Sequence, residues 1–299
     1  MQAKATRFGI GALILWSSLA LLSTAAGSIP PFQLVGMAFA LATMVALAKW
    51  GWRRESPVAR LKQPIGAWVL GVGGLFGYHF FYFLALRLAP PVEANLLNYL
   101  WPLLIVLFSA FLPGQRLRLH HLAGALAGMA GAALLLIKGE GAAFAGRFAL
   151  GYGAAVTCGV IWAAYSVANR RYKDVPSDAV GGFCAVTALL ALCCHYAFEE
   201  TVVPTTTQWL VILLLGLGPV GTAFFLWDFA CKHGDIRALG NLAYGVPLLS
   251  NGLLIATGHG ALTWQVGAAA VLIIGGAALG AGDVIRIGRR RREGARNTG

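Results

Sequence analysis

Inside otherwise apolar stretches the chain carries a small set of side chains able to recognise a solute. They are Trp16; Tyr78, His79 and Tyr82; Asn95, Asn98, Tyr99 and Trp101; Trp162, Tyr165 and Asn169; and Asn241, Tyr244 and Asn251. Spacings of three and four residues place Tyr78, His79 and Tyr82 on one helical face with Leu75. The same spacing places Asn95, Asn98, Tyr99, Pro102 and Ser109 close to another stripe. The chemistry this suggests is binding by ring faces and side-chain amides. A planar solute gains about 0.5–1.5 kcal/mol per ring contact beyond area burial, and a cation over a ring gains a similar amount. Each group also has a plainer reading. The amides can hydrogen-bond between helices at about 0.6 kcal/mol each, and Tyr and Trp often mark the membrane–water interface. Trp50, Trp52, Trp68, Trp209 and Trp264 fall near the ends of apolar stretches and are assigned to that belt, whereas Tyr99 and Trp101 lie too deep for it.

Other chemistries lack their parts. His79 is the one histidine read as lying well inside a span; Glu93 and Asp228 fall near opposite membrane faces, too far apart in depth to converge as a nucleophile, base or metal set. An isolated charge in hydrocarbon costs about 2.5–3.5 kcal/mol, so a neutral His79 is expected, either satisfied within the core, binding a substrate carboxylate or relaying a proton. No Lys or Arg is placed deep in a span, which counts against phosphorylated solutes. Cys158, Cys184, Cys193, Cys194 and Cys231 have no metal-ligand spacing, so no metal, cofactor or disulfide is expected.

These residues sit in an integral membrane protein. Of 299 residues, 58% are hydrophobic and 11% charged, and a spanning helix needs roughly 20 apolar residues. Ten such stretches are predicted: Phe8 to Ala26, Phe32 to Trp50, Ile65 to Leu86, Val92 to Leu112, Leu122 to Ile137, Ala149 to Asn169, Val180 to Phe198, Trp209 to Cys231, Ala238 to Ala256 and Leu262 to Asp283. With the N-terminus inside, 20 of the 23 Lys and Arg residues are cytoplasmic, leaving Arg87, Lys138 and Arg147 outside. The net charge of +12 therefore reports topology, not nucleic acid, and both termini are expected in the cytoplasm. Arg289 to Arg292 read as a stop signal, with an anionic-lipid site as the alternative. The start, Lys4 and Arg7 ahead of an apolar run ending Thr24-Ala25-Ala26, also resembles a signal peptide; the repeat described next argues against its removal.

Leu97-x-Tyr99-x-x-Pro102-Leu103-Leu104 returns as Leu242-x-Tyr244-x-x-Pro247-Leu248-Leu249. At an offset of about 144 to 146 positions Trp16 meets Trp162, Pro30 meets Pro176, and Gly77-x-x-Phe80-Phe81 meets Gly221-x-x-Phe224-Phe225. The expected architecture is all-α, with ten transmembrane helices in two inverted five-helix repeats, residues 1–145 and 146–299, the second carrying a basic cytoplasmic tail. Pro102 and Pro247 fall near the midplane, where each can serve as a hinge or as a static kink. Glycines at Gly71, Gly73, Gly74, Gly77, Gly124, Gly128, Gly131, Gly216, Gly218, Gly221, Gly276 and Gly280 suggest closely packed or sliding faces. Inverted halves meeting at broken helices are the plan of a secondary transporter working by alternating access.

The repeat, the Tyr-x-x-Pro-Leu-Leu pair and the Trp16/Trp162 pair resemble the drug/metabolite transporter superfamily over nearly the whole chain. Tyr78-His79-x-x-Tyr82 and Asn98-Tyr99-x-Trp101-Pro102 are most similar to the YddG-type aromatic amino acid exporters of bacterial inner membranes. The resemblance implies export of Phe, Tyr and Trp through a central cavity. Trp16, Tyr78, His79, Tyr82, Asn98, Tyr99, Trp101, Trp162, Tyr165, Asn241 and Tyr244 are the candidate lining and Pro102 and Pro247 the candidate hinges. Many members carry Gly-Glu after the fourth span where this chain has Gly114-Gln115, so no role for that carboxylate is carried over. Without a buried carboxylate cluster, facilitated movement is expected, with no obligate protein partner, no nucleic acid, and the lipid bilayer as surroundings. An exporter of planar cationic drugs is the nearest alternative, and an intramembrane enzyme a distant one.

Overall fold

The computed structural model describes residues 1–114, 117–137, 145–258 and 261–280. Gln115, Arg116, Lys138, Asp283, Arg286, Arg289 to Arg292 and Arg296 lie outside them, so the expectations placed on those residues do too. Among the described residues nine helices are long and apolar enough to cross a membrane: α1 (Gln2–Ala26), α2 (Pro31–Trp52), α3 (Ile65–Leu88), α4 (Pro91–Phe111), α5 (Leu119–Leu136), α6 (Gly146–Tyr172), α7 (Ser177–Phe198), α8 (Thr206–His233) and α9 (Ile236–Ala256). A shorter apolar helix, α10, covers Trp264–Gly280. Hydrocarbon offers the backbone no partner, so a chain this apolar closes its hydrogen bonds within helices.

The helices pair as α1 with α8, α3 with α6, α2 with α7, α4 with α9 and α5 with α10. Small residues set how closely they approach. A methyl group built on Gly276 would sit 2.6 Å from the Gly124 carbonyl oxygen, and one on Gly124 would sit 2.5 Å from that of Gly276, so α5 and α10 meet backbone to backbone. Gly74 lies under the Tyr165 ring and Gly71 under Phe183. The α2 N-terminus is fixed from α7: the Glu199 carboxylate accepts the backbone N–H groups of Phe32 (3.0 Å) and Gln33 (3.1 Å). His195, buried near the end of α7, bonds both Glu199 and Thr201. Acidic groups belong at helix N-termini, where the backbone N–H groups are unpaired.

α1 is interrupted at Ser18, and four further spans depart from a regular α-helix, in two matching pairs. α3 contains a π turn at Gly73–Gly77 and α8 another at Gly218–Thr222. In α8 the cause is Pro219, which has no N–H for the usual ladder. Gly73 has nothing within 4 Å of its would-be methyl and Gly77 only ordinary contact, so both belong to the turn, not to a tight helix face as their type had suggested. α4 breaks between Asn98 and Trp101, and α9 between Ala243 and Gly245, with Tyr99 and Tyr244 at the breaks. The two motif prolines follow these breaks, and Pro102 and Pro247 are both buried.

If Gly276 is fixed by backbone contact, Gly276→Ala is expected to destabilise the protein by about 1–3 kcal/mol, the usual range for overpacking. Gly275→Ala, with nothing within 4 Å, is expected to stay within about 0.5 kcal/mol. Thermal unfolding in one detergent reads the difference, and equal midpoints for the two variants would contradict the contact.

Candidate functional site

Side chains from α1, α2, α3, α4, α6 and α8 meet in one aromatic cluster. Trp16 lies 5.5 Å from Trp162, 5.0 Å from Trp227 and 5.7 Å from Phe224, centroid to centroid. Trp101 stands edge-on to Trp162 at 6.5 Å and to Trp227 at 6.0 Å. Tyr78 reaches Trp162 at 5.3 Å and stacks on Tyr82 at 5.9 Å, and Tyr165 reaches Trp162 at 5.2 Å. His79 stands edge-on to Phe39 at 5.3 Å. Most of these pairs adopt the edge-to-face or tilted geometries that ring quadrupoles favour.

The π turns supply partners to this cluster. In α8 the Pro219 carbonyl accepts the Trp16 indole N–H at 2.9 Å. In α3 the Leu75 carbonyl lies 2.7 Å from His79 Nδ1. A carbonyl only accepts, so Nδ1 carries hydrogen, and the neutral ring keeps its lone pair on Nε2. The polar edge comes from α4. Asn98 donates to the Tyr78 hydroxyl (3.1 Å) and accepts from Cys158 (3.2 Å), while the Tyr82 hydroxyl donates to Asn95 (2.7 Å). These amides therefore link helices and orient phenols at the same time.

Burial is graded along the cluster. Trp16, Trp101, Trp162, Tyr165 and Trp227 are buried, whereas Tyr78, His79, Tyr82 and Tyr99 are half-buried. Beneath the buried rings lies an ion pair that the sequence reading missed. Asp228 is 0% exposed and Lys232 4%; Lys232 donates to Asp228 (2.8 Å) and to the Val175 carbonyl (3.0 Å), and Asn169 donates to the other Asp228 oxygen (2.7 Å). Lys232 stands one residue before the end of α8, so its neighbours bury it at the helix end and not deep in the span. Aspartate and lysine four residues apart on one helix were the available signal.

The structure does not bring every candidate together. Asn241 and Tyr244 lie apart from the rings. Tyr244 packs over Gly128 in a separate apolar cluster with Val106 and Ile273, and Asn241 faces Gly124 and Gly280 while donating to the Arg237 carbonyl in its own helix. The α9 break points them toward α5 and α10, a direction that helical spacing alone does not specify. Asn251 and Ser109 bond carbonyls of their own helices. Trp50, assigned to the interface belt, is 2% exposed and belongs to the interior, whereas Trp52 is 92% exposed. Trp227, Phe224 and Phe39 join the cluster without having been singled out as lining. None of the candidate residues lines the crevice of about 370 Å³ at the Lys49 end of the bundle.

A helical membrane bundle whose broken and π-turn spans hold polar-edged rings at its centre is a transporter scaffold. The chain belongs to the EamA-like transporter family, whose model matches twice, over residues 4–137 and 149–281. It is 50% identical over 279 residues to the aromatic amino acid exporter YddG of Ancylobacter novellus, covering 93% of this chain and 97% of that protein. The Escherichia coli protein of the same name is 23% identical over 290 residues, covering 93% and 97%. A solved structure described only as the crystal structure of a protein superposes with a TM-score of 0.92 at 49% identity, covering 96% of this chain and 99% of that one.

Removing one member of a buried ion pair leaves an uncompensated charge. Lys232→Met is therefore expected to cost about 3–5 kcal/mol, and Asp228→Asn combined with Lys232→Met much less. Unfolding midpoints of the single and double variants check this, and a double variant as unstable as the single would contradict it.

Proposed function

We propose that the protein exports aromatic amino acids across the bacterial inner membrane by alternating access of two inverted five-helix repeats, residues 1–145 and 146–299, with both termini cytoplasmic. The observation that carries the reading is the aromatic cluster of Trp16, Tyr78, Trp101 and Trp162 with its polar edge of His79, Asn98 and Tyr82, and with Tyr99 at the adjoining α4 break. The substrate class is supported by the name of the 50%-identical relative. The repeat is supported by the two matches to one family model and by the helix pairs, because exchanging the halves converts α1/α8 into α6/α3 and returns the other three pairs to themselves. Inner-membrane orientation is supported by the 20-to-3 partition of basic residues.

In this reading the substrate ring enters from the half-buried side and packs edge-on among Tyr78, Trp101 and Trp162. His79 Nε2, an acceptor in the neutral ring, suits the substrate ammonium better than its carboxylate, and the second N–H of the Asn98 amide suits the carboxylate. Asn241 and Tyr244, on the far side of the broken helices, act on helix packing and not on the solute in this arrangement. The Asp228–Lys232 pair closes the cytoplasmic end; its charges satisfy each other, which fits facilitated movement and leaves no basic group for a phosphate. The α4 and α9 breaks, each followed by its proline, are where the halves bend.

Reconstituted protein assayed with labelled Phe or Trp is expected to show saturable flux that does not require a pH gradient. Tyr99→Ala, Trp101→Ala and His79→Ala are each expected to lower it at least about tenfold, since ring truncation removes more than the ~1.4 kcal/mol that factor represents. Normal flux in all three refutes the site, and competition by planar cations but not by amino acids reassigns the substrate. For the hinges, Pro102→Ala and Pro247→Ala are expected to slow flux several-fold while equilibrium binding of Trp stays unchanged; unaltered flux makes them static kinks.

A further inference from the structure

We propose that the crevice beside Lys49 is a binding site for an anionic phospholipid. It opens between α1, α2, α7 and α8, has a volume of about 370 Å³, and is walled mainly by apolar side chains, among them Phe8, Val45, Phe225 and Phe229. A second crevice shares Val45 and Lys49 and continues past Trp52 and Arg53 to the end of α2. Together they form a groove with an apolar body and a basic mouth.

Two independent observations distinguish this groove from an ordinary dent between helices. The first is unmet hydrogen bonding: Trp50 and Ser177 both line the crevice, and the Trp50 Nε1 and Ser177 Oγ atoms are buried without a partner, Trp50 being only 2% exposed. Buried donors in native proteins are nearly always satisfied, and these two belong to side chains of the crevice wall with almost none of their own surface open to it, so a ligand oxygen meets them after a small side-chain rotation. The hydroxyl of Ser177 needs only a rotation about its own bond to meet one.

The second is charge. Lys49 is bonded to Asp178, which cancels it. Arg53 and Arg54 follow on an exposed turn, and Glu55, the nearest carboxylate in sequence, is held by Arg60 at 2.8 Å. The mouth therefore keeps a positive excess. An acyl chain satisfies the apolar body, ester or phosphate oxygens satisfy the orphan donors, and a net negative headgroup satisfies Arg53 and Arg54. A zwitterionic lipid would bring its own cation against the arginines. Assigning the lipid to the cytoplasmic leaflet rests on the orientation proposed above; binding itself does not.

The test titrates the purified full chain with phosphatidylglycerol and with phosphatidylcholine of matched acyl chains, reading bound lipid by native mass spectrometry. Basic residues near a membrane surface contribute roughly fivefold each to anionic-lipid affinity. Phosphatidylglycerol is accordingly expected to bind at least about fivefold tighter, and Arg53→Gln with Arg54→Gln to abolish the preference. Val45→Trp, which fills the groove, is expected to weaken both lipids. Replacing Arg289 to Arg292 with Gln is expected to leave the preference intact. Equal affinity for the two lipids overturns the proposal, as does a preference that survives the Arg53/Arg54 change and disappears with the tail. Labelling of Arg54→Cys from either side of sealed vesicles separately reports orientation, so an inverted topology is not confused with a missing lipid site.

Discussion

Backbone polar groups in hydrocarbon must find their partners inside the protein, and the central architecture follows from that requirement. Regular helix meets it residue by residue. Where the ladder is interrupted, side chains or loosened helical turns take over. The Pro219 carbonyl receives the Trp16 indole, the Leu75 carbonyl receives His79, and the Thr222 hydroxyl bonds the Leu217 carbonyl. Two of these bonds fix cluster rings in place. Irregular backbone and oriented site chemistry are thus one feature of the fold, reached by opposite routes: glycines permit the turn in α3, and a proline forces the one in α8.

Charge obeys the same economy of partners. Asp228 and Lys232 would each be costly alone. Together with Asn169 and the Val175 carbonyl they use both carboxylate oxygens and bind α8 to the end of α6 and to the loop before α7. Around them the apolar packing is tight enough that glycine is the only residue fitting several contacts, notably Gly124 against Gly276. The protein is therefore stiff where α5 meets α10 and interrupted where α4 meets α9.

Much of this was legible in the residue order. Apolar length located the helices, and the Tyr-x-x-Pro-Leu-Leu pair located the breaks, because proline acts on its own helix and needs no knowledge of neighbours. The Tyr78/His79/Tyr82 face and the Trp16/Trp162 pair were visible for the same reason. Asn241 and Tyr244 read as cavity residues because they are polar groups inside an apolar span, but the direction a broken helix presents depends on what packs against it, and here that is α5 and α10. Trp50 illustrates the converse. Its position near a span end suggested an interfacial ring, yet α7 covers it, with Gly181 in contact. The burial of Lys232 was not legible, because it comes from what packs against the end of α8. The π turns were invisible because their glycines serve equally well as packing residues, and periodicity is read on the assumption of an unbroken ladder.

Each π turn accommodates one residue more than an α-helical turn would. Removing a single residue from Gly73–Gly77 would close that wide turn to an ordinary α-helical one and leave Tyr78, His79 and Tyr82 facing the ring cluster, whereas the same deletion in a regular stretch would rotate everything beyond it by about 100°. A one-residue deletion within a membrane span usually ruins a helix face; at these two points it would remove the loosened turn and spare the face. Among descendants of such a chain, single-residue length changes are therefore tolerated there sooner than elsewhere in the spans.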